Sequence, residues 1–448
     1  TWIFFSRAAE GVIPSVSLGA LFLLACWWYS HSEDRNAARL ISLALGFGLA
    51  AGSNIYTLLL AFFGGVLGWW VLQRQSPSER EKLQRLWRGW AVRENLLFFV
   101  GSFLAAATAL SFNLGGLGAS AELLGRWLGE LWPKGDAGPW FAMPKALFTY
   151  EFLTLGLALI GAGVGLRRRS PLEIWLVSWA VLSLLLGTLL GHRSPAWLVD
   201  VLLPLVLLAA RGFEYLWQEY LEEIDIPDLV AGWVAFVVLV FAALQLAIFL
   251  HTAQRVFLSY MRIALGGYLI ALAAYWFWRG EKAAWRATIL AGGIILVVLT
   301  VRTSTAVAYQ TARDPREWLV RSPASVQIRD FEHFITTLSS RRAGDPHLLD
   351  IEYEEDLGPW MEWYLRAFPN ARVLTFPKRP EAEVLITKVW SQQEWPKGYV
   401  GQRFRLKEHF PAQELSLREK LRWFLYREPV GTEKASEIEV WVRLSKAQ

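Results

Sequence analysis

Residues 229–250 read LVAGWVAFVVLVFAALQLAIFL, a run of 22 residues without a charged side chain. A helix needs about 20 apolar residues to cross the hydrocarbon core of a bilayer, so this run predicts a transmembrane helix. Over the whole chain 54% of the residues are apolar and 19% are charged, whereas soluble domains carry about 25% charged residues. The composition therefore predicts an α-helical polytopic membrane bundle.

About ten spans are predicted before residue 302, and two of them form a hairpin with the polar tip Gly52-Ser53-Asn54. They cover residues 11–29, 40–53, 55–72, 95–114, 147–166, 172–190, 197–210, 229–250, 262–278 and 285–301. Lys and Arg cluster in the segments 74–93, 167–169 and 279–286. Counting spans puts the three clusters on one face, which the positive-inside rule assigns to the cytoplasm. The chain start, the loop 115–145, the link 192–196 and everything after 301 are then extracytoplasmic.

After residue 302 the pattern becomes that of a soluble domain, so we predict a membrane domain over 1–302 and an α/β domain over 303–448. Helices are predicted at 325–340 and 359–368, and a capping box formed by Ser416 and Glu419 opens a third that ends at Tyr426. Strands are predicted at 348–353, 371–375, 383–389, 399–406 and 438–444. Alternating helices and strands are typical of layered α/β domains. The domain has no glycine-rich phosphate loop, which favours a recognition or structural module.

Several classes of site are disfavoured by the composition. The one Cys, Cys26, excludes a disulfide framework and a Cys-based zinc site within the chain. The formal net charge of +5 comes without a basic tail, so no nucleic-acid partner is predicted. No resident cofactor is predicted, and a need for a divalent metal is left open. Because the chain begins at Thr1 and an apolar run follows at once, we expect an N-terminal segment to be missing.

Two carboxylates lie within or beside predicted spans, where a polar group needs a specific reason. Glu151 lies at the outer end of the span 147–166. It is either an interfacial carboxylate or an acid of a substrate cavity. Asp200 precedes Pro204 by one helical turn inside the span 197–210. It either binds a substrate or joins neighbouring helices.

Three basic residues are predicted at the same extracytoplasmic face. Arg7 precedes the first span, and His192 and Arg193 lie in a short link between two spans. An Arg guanidinium matches the geometry of phosphate oxygens, so these residues could bind a lipid-linked phosphate; the alternative is that they extend to lipid headgroups. The aromatic loop 115–145 is either seated in the membrane interface or forms a lid over a sugar or lipid.

Four sequence motifs, in this order and spacing, resemble a known family. They read FSR at 5–7, GPW at 138–140 followed by FTYE at 148–151, HRSPAWL at 192–198 followed by LPL at 203–205, and YVG at 399–401 followed by LRWFLYREP at 421–429. The chain resembles the GT-C class of polytopic glycosyltransferases, of the dolichyl-phosphate-mannose protein mannosyltransferase type. Within that class it is most similar to the prokaryotic flippase-activity-associated membrane proteins. The hairpin tip Gly52-Ser53-Asn54 departs from the family, whose members tend to carry Lys and Glu there.

The resemblance implies a membrane glycosyltransferase that moves a sugar, with inversion, from a polyprenyl-phosphate donor to a glycan or protein acceptor outside the cytoplasm. It also implies that the catalytic acid lies in a first external loop upstream of Thr1, and that Arg7, Glu151, His192, Arg193 and Asp200 bind the substrate. The first alternative is a non-catalytic accessory protein of lipid-linked sugar export. A transporter ranks last because the sequence shows no pair of inverted repeats.

Overall fold

The computed structural model of the chain describes residues 1–7, 12–72, 90–132, 141–189, 195–320, 324–325, 327–374, 382–389, 398–409, 416–427 and 434–444. The chain divides into two compact units, which we call the helical unit and the sheet unit. The helical unit comprises Thr1–Ala312 and Phe424–Arg427. The sheet unit comprises Arg313–Trp423 and Glu428–Gln448.

The described part of the helical unit is built from helices joined by short turns. These are α1 (Trp2–Arg7), α2 (Val12–Ser32), α3 (Arg35–Ala51), α4 (Asn54–Leu72), α5 (Val92–Ala107), α6 (Gly116–Glu130), α7 (Ala142–Tyr150), α8 (Phe152–Arg168), α9 (Pro171–Leu189), α10 (Leu198–Leu216), α11 (Ile226–Thr252), α12 (Arg255–Arg279) and α13 (Glu281–Thr305). A 3₁₀ turn, Pro195–Trp197, precedes α10, and π turns extend α10 and α13 to Leu221 and Gln310.

Seven helices of the described residues are long and apolar enough to span a membrane, and the chain is a multi-pass membrane protein. The spanning segments are Val12–Ser32, Asn54–Val71, Pro171–Leu189, Pro195–Leu221, Ile226–Thr252, Arg255–Arg279 and Glu281–Gln310. The pair α7 and α8 makes an eighth if it counts as one span bent by 102°. The predicted break at residues 52–53 is found, because α3 ends at Ala51 and α4 begins at Asn54.

Against the predicted number of about ten, the described residues contain seven spans, or eight with the bent pair. The predicted spans 40–53 and 95–114 form α3 and α5, which have 17 and 16 residues. At about 1.5 Å per residue such helices fall short of the hydrocarbon core, which is about 30 Å thick. The apolar run continues past α5, but Ala109, Leu110 and Ser111 have positive φ angles of 47°, 57° and 77°, which L-residues adopt in turns and not in helices. The predicted span 147–166 is broken at Glu151.

Close approach between helices is made possible by glycine at two crossings. A Cβ at Gly46 of α3 would lie 2.5 Å from the carbonyl oxygen of Phe99 in α5, and one at Gly161 of α8 would lie 2.1 Å from that of Leu208 in α10. Small residues let backbones touch in this way in membrane bundles. Between α4 and α9 the contact is aromatic instead, since the fully buried Trp179 meets the ring of Phe62 at a centroid distance of 5.7 Å.

The sheet unit contains the mixed five-stranded sheet that the alternating pattern predicted. Its strands are β1 (Ile351–Glu354), β2 (Ala371–Leu374), β3 (Val384–Lys388), β4 (Tyr399–His409) and β5 (Lys434–Arg443), in the order β2-β1-β3-β5-β4. Strand β1 is parallel to β2 and β3, and β5 is antiparallel to β3 and β4. Each predicted strand is found, with shifts of up to four residues at its ends.

The helices of the sheet unit follow the same predictions. They are α14 (Gln327–Ala343), α15 (Gly358–Leu365) and α16 (Leu417–Tyr426), the last of which begins in the sheet unit and ends in the helical unit. Phe331, Met361 and Ile386 meet in the core between helices and sheet. The capping box is confirmed, because the Glu419 carboxylate accepts from the Ser416 amide at 2.9 Å. This contact and that of the Ser416 hydroxyl lower the pKa of Glu419.

Candidate functional site

Asp200 is a buried carboxylate at the beginning of α10, with 2% of its surface exposed. Its Oδ2 accepts a hydrogen bond from Asn54 Nδ2, the first residue of α4, at 3.4 Å. Its Oδ1 is buried and, among the described residues, has no hydrogen-bond partner. Burying a carboxylate costs free energy unless the group is paired. One long hydrogen bond satisfies little of the capacity of this carboxylate to accept hydrogen bonds. Asp200 is therefore suited to accept from a further donor.

Pro204 adds a second acceptor at the same place. In an α-helix the N–H of residue i bonds to the carbonyl of residue i−4, and proline has no N–H. Pro204 lies inside α10, so the helix offers no such bond to the Asp200 carbonyl. Asp200 thus offers two acceptors at one place, its side-chain carboxylate and its own backbone carbonyl, which receives no bond from residue 204.

The helix α6 is attached to α4 close to Asn54. Trp127 Nε1 donates to Thr57 Oγ1 at 2.9 Å, and the rings of Tyr56 and Trp127 lie 5.7 Å apart. Thr57 is 2% exposed. The loop 115–145 contains the helix α6. Around it, large apolar side chains point away from the protein, which favours a membrane-seated loop over a closed lid; they are Leu110, Phe112, Leu114, Leu117, Leu124, Leu128 and Trp132.

Glu151 lies at the break between α7 and α8 and is 9% exposed. Its Oε2 accepts from Thr154 Oγ1 at 3.1 Å, and its Oε1 lies 3.0 Å from the backbone nitrogen of Thr1. The carboxylate is therefore enclosed, and Thr154 holds one of its oxygens. It lies at the corner between the two helices.

Two of the sequence motifs meet beside Glu151 within the helical unit. Phe424, which belongs to this unit, stacks on Phe148 at 6.2 Å and meets Phe152 edge-on at 5.8 Å. Arg427 Nη2 donates to the carbonyl of Thr149 at 3.3 Å, and its guanidinium lies 5.1 Å from the ring centre of Tyr150. The corner at Glu151 is thus lined by aromatic rings.

The three predicted basic residues are only partly described. Arg7 is the last residue of α1, which packs against the turn Ala306–Gln310, and its side chain lies outside the described structure. His192 and Arg193 lie in the undescribed segment 190–194, directly before the turn Pro195–Trp197 that leads to Asp200. Their predicted role at a phosphate stays a prediction.

The opposite end of the helical unit holds an ion-pair network that the sequence did not reveal. Asp228 is fully buried and accepts from Tyr275 Oη and from Arg286 Nη1, the latter at 3.1 Å. Arg279 pairs with Asp225, and Lys282 pairs with Glu219 at 2.8 Å. The basic cluster 279–286 and the acidic residues Glu219, Asp225 and Asp228 thus hold α10, α11, α12 and α13 together.

Asn54 is the residue of the candidate site that sequence reasoning missed. The sequence predicts Asn54 as part of a polar hairpin tip. The predicted topology of the spans places that tip at the same end of the bundle as Asp200. Two polar residues at the same end of neighbouring apolar helices were the available signal. Within the described part of the chain no group of three or more His, Cys, Asp or Glu side chains could hold a metal ion.

Comparisons of the chain with models of known families, with characterised proteins and with solved structures give no match.

Proposed function

We propose that this protein is a membrane glycosyltransferase that moves a sugar from a polyprenyl-phosphate-linked donor to a glycan or protein acceptor outside the cytoplasm. The observation that carries the proposal is the enclosed pair of Asp200 and Asn54, in which Oδ1 of Asp200 has no partner among the described residues. The order and spacing of the four sequence motifs support the same class.

The chemistry of the pair suits a sugar. A carboxylate accepts hydrogen bonds and an amide both donates and accepts, which matches the mixed donors and acceptors of adjacent sugar hydroxyls. Both side chains are buried, at 2% and 8% exposure, so in this proposal a conformational change admits the sugar. Binding energy that drives such a change is a common source of specificity.

The proposed reaction is an inverting displacement at the anomeric carbon. The bond between that carbon and the phosphate oxygen breaks, and a bond to the acceptor hydroxyl oxygen forms. The hydroxyl proton goes to a carboxylate base, and polyprenyl phosphate leaves with the bonding electrons. In this proposal Arg7, His192 and Arg193 stabilise the charge of the leaving phosphate.

The proposal requires the Asp200 end of the helical unit to face away from the cytoplasm, as the Lys and Arg clusters predict. In a Cys26→Ala background, we expect Ala343→Cys to react with a membrane-impermeant thiol reagent in intact cells. The matched variant Glu222→Cys, at the opposite end of α10, should react only after lysis. Both positions are exposed, so a difference in labelling reports the side of the membrane and not burial of the thiol. The reverse pattern would contradict the orientation.

The direct test of function measures polyprenyl phosphate, which is a product for every donor sugar and acceptor. We expect the full-length purified protein, incubated with synthetic polyprenyl-phosphate hexoses and an envelope fraction as acceptor source, to release polyprenyl phosphate faster than a protein-free control. Tight binding of these donors without release would reject the enzyme and favour an accessory role in lipid-linked sugar export.

A further inference from the structure

The helix α6 turns its largest apolar side chains away from the protein. An amphipathic surface helix normally packs its apolar face against the core. In α6, Leu117, Leu124 and Leu128 form one stripe, which we call the leucine stripe, and all three are exposed. The side that faces the bundle carries Ser120, which is buried, and Trp127, which is half-buried. The leucine stripe therefore needs an apolar environment other than the core of the protein.

A charged face lies opposite the leucine stripe. Glu122 and Arg126 are each two residues from Leu124, which corresponds to about 200° around an α-helix. Arg126 Nη2 donates to Glu122 Oε1 at 2.8 Å, and both side chains are exposed. Trp127 lies between the two faces, about 100° from Arg126 and about 60° from Leu124. A helix held at one flank, with an apolar and a charged face both exposed, fits a boundary between hydrocarbon and water.

The length of α6 determines how it can lie in a membrane. Its 15 residues extend for about 22 Å at 1.5 Å per residue, whereas a hydrocarbon core is about 30 Å thick. The helix is therefore too short to span the membrane, and the pair of Glu122 and Arg126 lies near its middle. An orientation parallel to the membrane plane keeps the whole leucine stripe in hydrocarbon and the charged face in water.

The chain that leads into α6 is apolar and exposed as well. Leu97, Val100 and Leu104 form an exposed stripe along α5, and in a multi-pass bundle such a stripe faces lipid chains, which are as apolar as leucine. The left-handed turn 109–111 follows α5, and after it Phe112 is 91% exposed. The leucine stripe of α6 continues this surface along the chain. This continuity favours the bilayer as its partner.

We propose that α6 lies parallel to the membrane in the interface at the Asp200 end of the helical unit, with its leucine stripe among lipid acyl chains. Trp127 then connects the membrane to α4, because its Nε1 donates to Thr57 Oγ1 at 2.9 Å, three residues after Asn54. Lipid contact thereby steadies the turn that carries Asn54. The proposal does not depend on sugar transfer.

Spin labels on the two faces of α6 test the orientation. Full-length protein with Cys26→Ala would carry one nitroxide, at Leu124→Cys or at the matched control Glu122→Cys, in phosphatidylcholine vesicles. Collisions with oxygen, which concentrates in hydrocarbon, and with a water-soluble nickel chelate are measured by electron paramagnetic resonance. The ratio of oxygen to nickel collisions should be severalfold higher at Leu124→Cys. Leu117→Cys and Leu128→Cys should match Leu124→Cys, because a helix in the membrane plane holds all three at one depth.

Each competing arrangement of α6 has its own signature in these collisions. Few collisions with either reagent along the leucine stripe would mean that a second copy or another protein covers it. Frequent nickel collisions on both faces would place α6 in water. A ratio that changes steadily from Leu117→Cys to Leu128→Cys would mean that the helix enters the membrane at a steep angle. Any of these results would overturn the proposal.

Hydrogen exchange in the same vesicles tests the connection to α4. Leu124→Glu combined with Leu128→Glu should expel the stripe from the acyl chains and raise amide exchange of the peptide 54–60 severalfold. Both leucines are exposed, so these changes leave the core of the bundle intact. Glu122→Gln combined with Arg126→Gln, on the charged face, should leave the exchange unchanged. Equal exchange in the two double variants would overturn the connection between the membrane and the turn that carries Asn54.

Discussion

Gly161→Ile is expected to prevent stable folding of the helical unit, and Gly161→Ala to weaken it by about 1–3 kcal/mol, the usual range for overpacking a well-packed core. At this crossing α8 and α10 touch backbone to backbone. A Cβ at Gly161 would lie 2.1 Å from the Leu208 carbonyl oxygen, and a Cβ at Gly212 would lie 2.0 Å from that of Leu157. On each helix the added Cβ would meet a backbone carbonyl oxygen of the other helix. No side chain can rotate away to make room, so the helices must separate.

The matched control lies two residues along the same helix. A Cβ at Gly163 meets nothing within 4 Å, and alanine is a better helix former than glycine. Gly163→Ala should therefore leave thermal unfolding in detergent unchanged or raise its midpoint, while Gly161→Ala lowers it. Equal midpoints for the two variants would mean that the crossing of α8 and α10 is looser than described here.

The sequence predicted the sheet unit closely because each of its elements has a local signal. Strands such as Val384–Lys388 are short apolar runs between turns. The beginning of the helix Leu417–Tyr426 is indicated by its capping box. These signals depend on neighbouring residues only. Long-range pairing then follows from burying the apolar face against helices, which are also visible in the pattern.

The helical unit was harder to predict because hydrophobicity reports lipid contact and not helix geometry. The apolar run around residues 147–166 passes through the corner at Glu151 without Gly or Pro to mark it. Likewise α5 ends at Ala107 although apolar residues continue. A corner held by Glu151 and Thr154 depends on contacts within the folded unit, and a hydropathy pattern does not contain them.

In the candidate site, too, one residue has a local sequence signal and its partner does not. Asp200 stood out because a carboxylate in an apolar run needs a reason. Its partner Asn54 lies 146 residues away, and Arg286 lies 58 residues from Asp228. Partners at such distances follow from helix packing, which one sequence does not display.

Asp200→Leu is expected to remove transfer activity without unfolding the protein. Asp200 has one long bond to Asn54 and an oxygen without a partner among the described residues. Replacing such a buried polar group by an apolar one of similar size is often neutral or stabilising. If Asp200 binds the sugar, loss of a hydrogen bond to a charged group costs about 1.5–3 kcal/mol, which lowers kcat/KM about ten- to a hundredfold.

The control is Asp228→Leu at the opposite end of the bundle. Asp228 is also fully buried, but Arg286 and Tyr275 both bind it. Removing it leaves a buried guanidinium short of a partner, and breaking a buried pair in this way costs about 3–5 kcal/mol. Asp228→Leu should therefore lower thermal stability, with any loss of activity following the loss of folded protein.

The decisive measurement is the rate of polyprenyl phosphate release by the wild type and by Asp200→Leu, taken at equal amounts of folded protein with the thermal midpoint of each recorded. The account predicts a measurable rate for the wild type, a rate about ten- to a hundredfold lower for the variant, and an unchanged or higher midpoint. An unchanged rate, or a fall in activity that only follows a lowered midpoint, would contradict it and leave Asp200 as a residue that joins α10 to α4.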